Sequence, residues 1–204
     1  MTPFSLLAPT YLQMLGALSN WLDKAEGELP EAQVAALPSA RLAPDMFPLS
    51  TQVRFACAQA LEGVHRLQGV ALPPLHAILL EEGREAGDKA GSLREARTRI
   101  AETIALVSAR SESEGSDGAA MIAHELPNGM VFDLTADQYG RDWALGQFYF
   151  HIMIAYAILR HKGVGLGKAD YVAHMFGYLR PGTLPTASGD HFRSRLCVPS
   201  PGVI

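Results

Sequence analysis

The chain has 204 residues and a mass of 22.0 kDa, 48% of them hydrophobic and 19% charged, which is one domain's worth of chain with enough apolar surface to bury a single core. Lys+Arg 17 against Asp+Glu 21 leave a net charge of −4 and a pI near 6.0, which argues against nucleic acid as a partner because no overall basic surface exists. Two cysteines, Cys57 and Cys197, cannot make a disulfide framework, and the N-terminal stretch lacks the basic region and small-residue cleavage site of a secretory signal, so a cytoplasmic protein is expected.

Thr10 is the predicted N-cap of a first helix reaching about Glu26, with Leu12, Leu15, Leu18 and Leu22 at helical spacing beside Tyr11, Met14 and Trp21. Pro30, Pro38, Pro44 and Pro48 stop a long helix from crossing 27–48 and leave room for a short turn over 30–36. A second helix is predicted over 48–67, where Leu49, Val53, Ala56, Cys57, Ala60, Val64 and Leu67 step by three and four to make one buried stripe. After Gly69 and Pro73-Pro74 comes a short helix over 75–80, then a charged loop over 81–91. Ser92 and Glu95 form a capping box for a third helix ending near Ala109, and the stretch 110–118, without one apolar residue, reads as a surface loop.

Asn128-Gly129 supplies the positive φ angles of a tight turn, pairing 121–126 with 130–134 as a hairpin that must lie on the helices. Thr135 and Gln138 make a second capping box, opening a fourth helix that runs to about His161. Between Phe148 and Leu159 the strongly polar groups are His151 and the hydroxyls of Tyr149 and Tyr156, so this helix is expected to be buried on several sides, in the bundle core and a subunit interface. A membrane span is the poorer reading, because the apolar run of 17 over 143–159 sits at the lower length limit and contains Gln147 and His151. A further short helix over 168–179 precedes a tail with four prolines and no helical period.

Metal chemistry on one helix needs His-x-x-x-His, because residues four apart share a face, and none of the seven histidines forms that pair. His161 follows His151 by ten residues, about 15 Å along the axis and roughly 80° around it, too far to share an ion. The glycine-rich run Gly163-Val-Gly165-Leu-Gly167-Lys168 departs from a phosphate loop, since Ala169 follows the lysine and a helix precedes it. Cys57 lies on the buried stripe, where a thiol is inert. His151 has two readings: a core histidine with satisfied ring nitrogens, or a neutral general base facing a cavity with Gln147, one turn earlier on the same face. Asp45 likewise either caps the second helix and pairs with Arg41, or lines the cavity mouth with Arg41, with Met46 and Phe47 as an apolar lip and Gln52 adding a polar group.

The strings ARLAPDMFPLSTQVRFAC (40–57) and FYFHIMIAYAILRHKGVGLGKADY (148–171) resemble the DUF1993 family of uncharacterised bacterial and fungal proteins, a likeness that covers about residues 3–172. That family looks like a branch of the DinB/YfiT-like superfamily. The resemblance implies a four-helix bundle with a long crossover and a homodimer. It also implies, for many members, a divalent metal held by one His of the second helix and a His-x-x-x-His pair of a later one, and for some a thiol-dependent transferase or isomerase activity. Here His151 matches the first member of that pair, but Ala155 stands in place of the second, and the second helix offers Phe55 and Ala56 near the expected ligand with only His65 far along it. No metal and no cofactor are therefore expected.

The expectation is an all-α DinB/YfiT-like four-helix bundle over 1–172 with a small β-hairpin between the third and fourth helices, followed by an irregular proline-containing extension over 173–204. Its function is to bind or transform a small molecule in a cavity between the second and fourth helices. His151 is the candidate catalytic residue, and Gln147, Gln52, Asp45, Arg41 and Tyr156 are candidate substrate contacts. The expected partners are a second copy of the chain and a small-molecule ligand, with neither nucleic acid nor membrane. The alternatives are a non-catalytic dimeric interaction or stress-associated protein and a metal-dependent thiol transferase.

Overall fold

The computed structural model describes residues 2–111 and 115–183. Helix α1 (Pro3–Glu28) leads through the short α2 (Glu31–Ala36) and a 3-10 turn (Leu37–Ser39) to α3 (Leu49–Leu67), α4 (Pro74–Glu85) and α5 (Leu93–Ser111). Strands β1 (Met121–Glu125) and β2 (Val131–Thr135) form the hairpin. Then come α6 (Ala136–Gln138), a π-helical turn (Tyr139–Ala144), α7 (Leu145–His161), α8 (Lys168–Tyr171) and a 3-10 segment (Ala173–Tyr178). Helices α1, α3, α5 and α7 are the four members of the bundle; α3 packs against the other three and against α4. The fold is the expected all-α bundle with one small hairpin, and no helix among the described residues is long and apolar enough to cross a membrane.

The first helix starts well before Thr10. Thr2 is its cap, its Oγ1 accepting from the Ser5 amide at 3.2 Å, and Pro3 takes the first helical position, where a missing N–H costs nothing. Thr10 sits inside the helix and donates its hydroxyl to the Leu6 carbonyl at 2.8 Å. Pro9 in a helix interior costs about 3 kcal/mol. Burial of Phe4, Leu7, Tyr11 and Leu15 on one face offsets it, at roughly 1.5–3 kcal/mol per large side chain.

The second long helix is more deeply buried than one apolar stripe predicts. α4 extends to Glu85 rather than stopping near Leu80, because it covers α3: the Thr51 hydroxyl donates to the Gly83 carbonyl at 2.8 Å, and the Phe55 ring lies where a side chain on Gly83 would be. Ser50, Thr51, Gln52, Arg54, Glu62 and His65 are therefore buried with the apolar positions. Arg54 is satisfied by Glu82 Oε2 at 3.0 Å and by the Ser50 hydroxyl at 2.5 Å, and the Ser50 hydroxyl donates to the Ala90 carbonyl. The fourth long helix is the less buried one. It encloses Phe148, Ile152, Ala155, Ile158 and Leu159 but leaves Phe150 and Met153 59% and 41% exposed.

Both capping boxes form. Ser92 and Glu95 exchange bonds at 2.6 and 3.2 Å, and Thr135 and Gln138 do so at 2.9 and 3.2 Å. The hairpin pairs Met121 with Thr135 through Glu125 with Val131; Met130 belongs to the turn, where Gly129 adopts φ +85°. Arg110 and Ser111 continue α5 instead of joining the loop expected over 110–118, of which 112–114 lie outside the described residues. The short helix expected over 168–179 divides into α8 and the 3-10 segment, while 184–204, with Cys197, lie outside the described residues.

Candidate functional site

Gln52, one turn into α3, and His151, in the first half of α7, meet across the α3–α7 seam. The imidazole Nδ1 is 2.9 Å from Gln52 Oε1, while Gln52 Nε2 donates to the Phe47 carbonyl at 3.2 Å. That second bond fixes the amide orientation: Oε1 faces the ring, so Nδ1 carries the proton and donates it. Nε2 is then the lone-pair nitrogen, and it has no hydrogen-bond partner among the described residues. Gln52 is 2% exposed, whereas the histidine is only partly buried. Desolvation lowers the His151 pKa from 6.5 to about 4, so the ring is neutral at physiological pH.

Aromatic rings surround this pair. Phe55 and Phe150 meet His151 edge-on with centroids at 5.4 and 5.3 Å, and Phe47 packs edge-on against Phe55 at 5.8 Å. Phe47 and Phe150 are more than half exposed, so the imidazole lies in a surface surround of aromatic rings rather than sealed in the core. The expected cavity between the second and fourth helices is not among three surface cavities of about 310, 390 and 260 Å³, which are lined by other residues, Leu37 and Lys162, Arg54 and Arg99, and Pro3 and Leu145 among them.

The structure separates the remaining candidates. Gln147 lies about 40° around α7 from His151 and is partly buried, but the imidazole's partner is Gln52. Asp45 is exposed and does not cap α3, whose N-cap is Pro48 without a side-chain bond. Arg41 makes no ion pair with Asp45 among the described residues; its Nη1 donates to the Met46 carbonyl at 3.2 Å, shaping the loop that presents Phe47. Tyr156 stands about 140° around α7 from His151 and packs on Trp21 at 5.3 Å and Tyr171 at 6.5 Å, away from the seam. Phe55 and Phe150 went unassigned in the sequence, where their spacing marks them only as helix-face residues.

The residues present do not fit the three-histidine metal site that the fold family implies. The buried Ala155 stands where the second histidine of the pair would be, one turn after His151, and no group of three His, Cys, Asp or Glu among the described residues is arranged to hold an ion.

The model of a family described as Domain of unknown function (DUF1993) matches residues 4–172. Among solved structures, the chain is similar to a DinB family member protein from Shewanella denitrificans, with 31% identity, a TM-score of 0.65, and coverage of 89% of this chain and 95% of that one. No curated protein matches the chain.

Proposed function

The chain belongs to the DUF1993 family, and on the DinB-like bundle it shares with the Shewanella protein we propose that it binds a small aromatic molecule carrying a hydrogen-bond donor, at the rings around His151. The observation that carries this reading is the Gln52–His151 bond, which leaves Nε2 as an unprotonated acceptor beside exposed aromatic rings. A ligand ring would pack on Phe47 and Phe150 while its O–H or N–H donates to Nε2. Binding is a better assignment for His151 than proton abstraction, because efficient general bases have pKa values near the working pH and burial holds this one at about 4.

The test is a thermal-shift screen with phenols and anilines, with the matching hydrocarbons as controls, on the wild type and on His151→Asn. Asparagine keeps a donor toward Gln52 and removes the Nε2 acceptor. Stabilisation by donor-bearing rings that disappears in the variant supports the site; stabilisation that survives unchanged, or none at all, overturns it.

A non-catalytic homodimer is the second reading, favoured by the apolar stripe of Phe150 and Met153 that α7 leaves exposed. Under that reading analytical ultracentrifugation finds a dimer that Phe150→Glu converts to monomer, and the ring compounds stabilise neither form.

A further inference from the structure

A second set of buried polar side chains lies at the other end of α3, beneath the hairpin. His124, the buried residue of β1, is 2% exposed; its ring stands 5.4 Å from that of Tyr139 and 4.6 Å from that of Trp143, both supplied by the π-helical turn. Its Nδ1 is 3.8 Å from Glu62 Oε1, which accepts from Arg66 Nε at 2.8 Å. Tyr11 reaches the same region over Gly63, where an added Cβ would overlap its hydroxyl. The charge of Glu62 bears on both phenols, whose pKa values burial raises. π-Helical turns recur at functional sites, and this one places two polar aromatic residues against one histidine.

Among the described residues none of the polar atoms of these four rings has a hydrogen-bond partner: the Tyr11 and Tyr139 hydroxyls, Trp143 Nε1 and both nitrogens of His124 are buried and unbonded. Leaving one such atom bare costs about 1–3 kcal/mol, so five together would cancel much of a domain's stability. A bound molecule would satisfy them, and the inventory restricts its chemistry. Trp143 can only donate, so the occupant must accept. One nitrogen of neutral His124 can only accept, so it must also donate. A simple anion lacks donors and is repelled by Glu62; a quaternary ammonium lacks acceptors.

We infer that Glu62, His124, Tyr11, Tyr139 and Trp143 form a binding site, separate from the His151 surround, for a small neutral molecule bearing hydroxyl or amide groups. Entry is by displacement of the hairpin, since two strands alone are marginally stable and His124 is the residue β1 buries.

The chain has two tryptophans, which makes the site directly observable. The indole N–H of Trp21 donates to the Asp170 carbonyl at 3.2 Å and serves as the internal control. In ¹H–¹⁵N spectra of the full chain, acetamide and ethylene glycol should shift the Trp143 indole resonance saturably and leave Trp21 in place, while tetramethylammonium and sulfate shift neither. Tyr139→Phe, which keeps the ring and removes one polar atom, should weaken the response by about tenfold. If its Trp21 resonance moves, signalling a disturbed bundle, Tyr11→Phe replaces it. A Trp143 resonance indifferent to both neutral probes, an equal response to the ions, or a response unchanged in the folded variant overturns the inference, as does a crystal grown with acetamide that shows only water among these side chains.

Discussion

Gln52 holds an imidazole 99 residues away in one tautomer, and that single bond separates a core histidine from a ligand-facing one. Both residues were legible as polar interruptions, Gln52 on a helix with an apolar stripe and His151 on the most apolar run. Their meeting was not, because within one helix spacing proposes only Gln147, and nothing local tells which residue of another helix faces it. Asp45 shows the converse: an acidic residue three positions before a helix reads as a cap, yet the backbone at Pro48 turns without using it. Replacing Gln52 by Leu removes the acceptor and leaves Nδ1–H unpaired, which should cost about 1–3 kcal/mol in urea unfolding at neutral pH. A cost near zero would mean that water or another residue takes the proton as well as Gln52 does.

Helix α3 owes its burial to neighbours on nearly every side, and its glycine is set by one of them. At Gly63 an alanine would gain about 1 kcal/mol of helix propensity, but its Cβ would overlap the fully buried Tyr11 hydroxyl, and overpacking costs about 1–3 kcal/mol. Gly63→Ala is therefore expected to destabilise, and less so in a Tyr11→Phe background; a stabilising effect in the wild-type background would show that Tyr11 moves freely. The elements that the sequence announces most clearly are those whose signal is local. Two S/T-x-x-E/Q boxes and an Asn-Gly turn each satisfy their own backbone, and all three form as spaced. The start of α1 and the length of α4 were illegible because burial against other helices decided them over Pro9 in one case and over the charged run near Glu81 in the other. The π-helical turn left no local mark at all.

Across the whole molecule, acid acts through two kinds of group. His65, His76, His124 and His151 all have folded pKa values lowered by desolvation, so below about pH 6.5 the unfolded chain binds their protons first and stability falls with pH, for His151 down to about 4. Glu82, its carboxyl held below the usual range by hydrogen bonds from Arg99 and Arg54, adds stability that is present above its unfolded pKa of 4.5 and lost as pH falls through the folded one. The two add in the same direction, so the unfolding midpoint should drop steadily from pH 7 to pH 4; a flat profile would mean that these imidazoles titrate in the folded protein as they do in the unfolded chain. The measurement that bears most directly on the proposed site is a ¹⁵N titration of the His151 ring. At pH 7 the bond to Gln52 requires a protonated, pyrrole-like Nδ1 and a pyridine-like Nε2, with the latter gaining its proton only near pH 4. A pyridine-like Nδ1, or titration near 6.5, would contradict it.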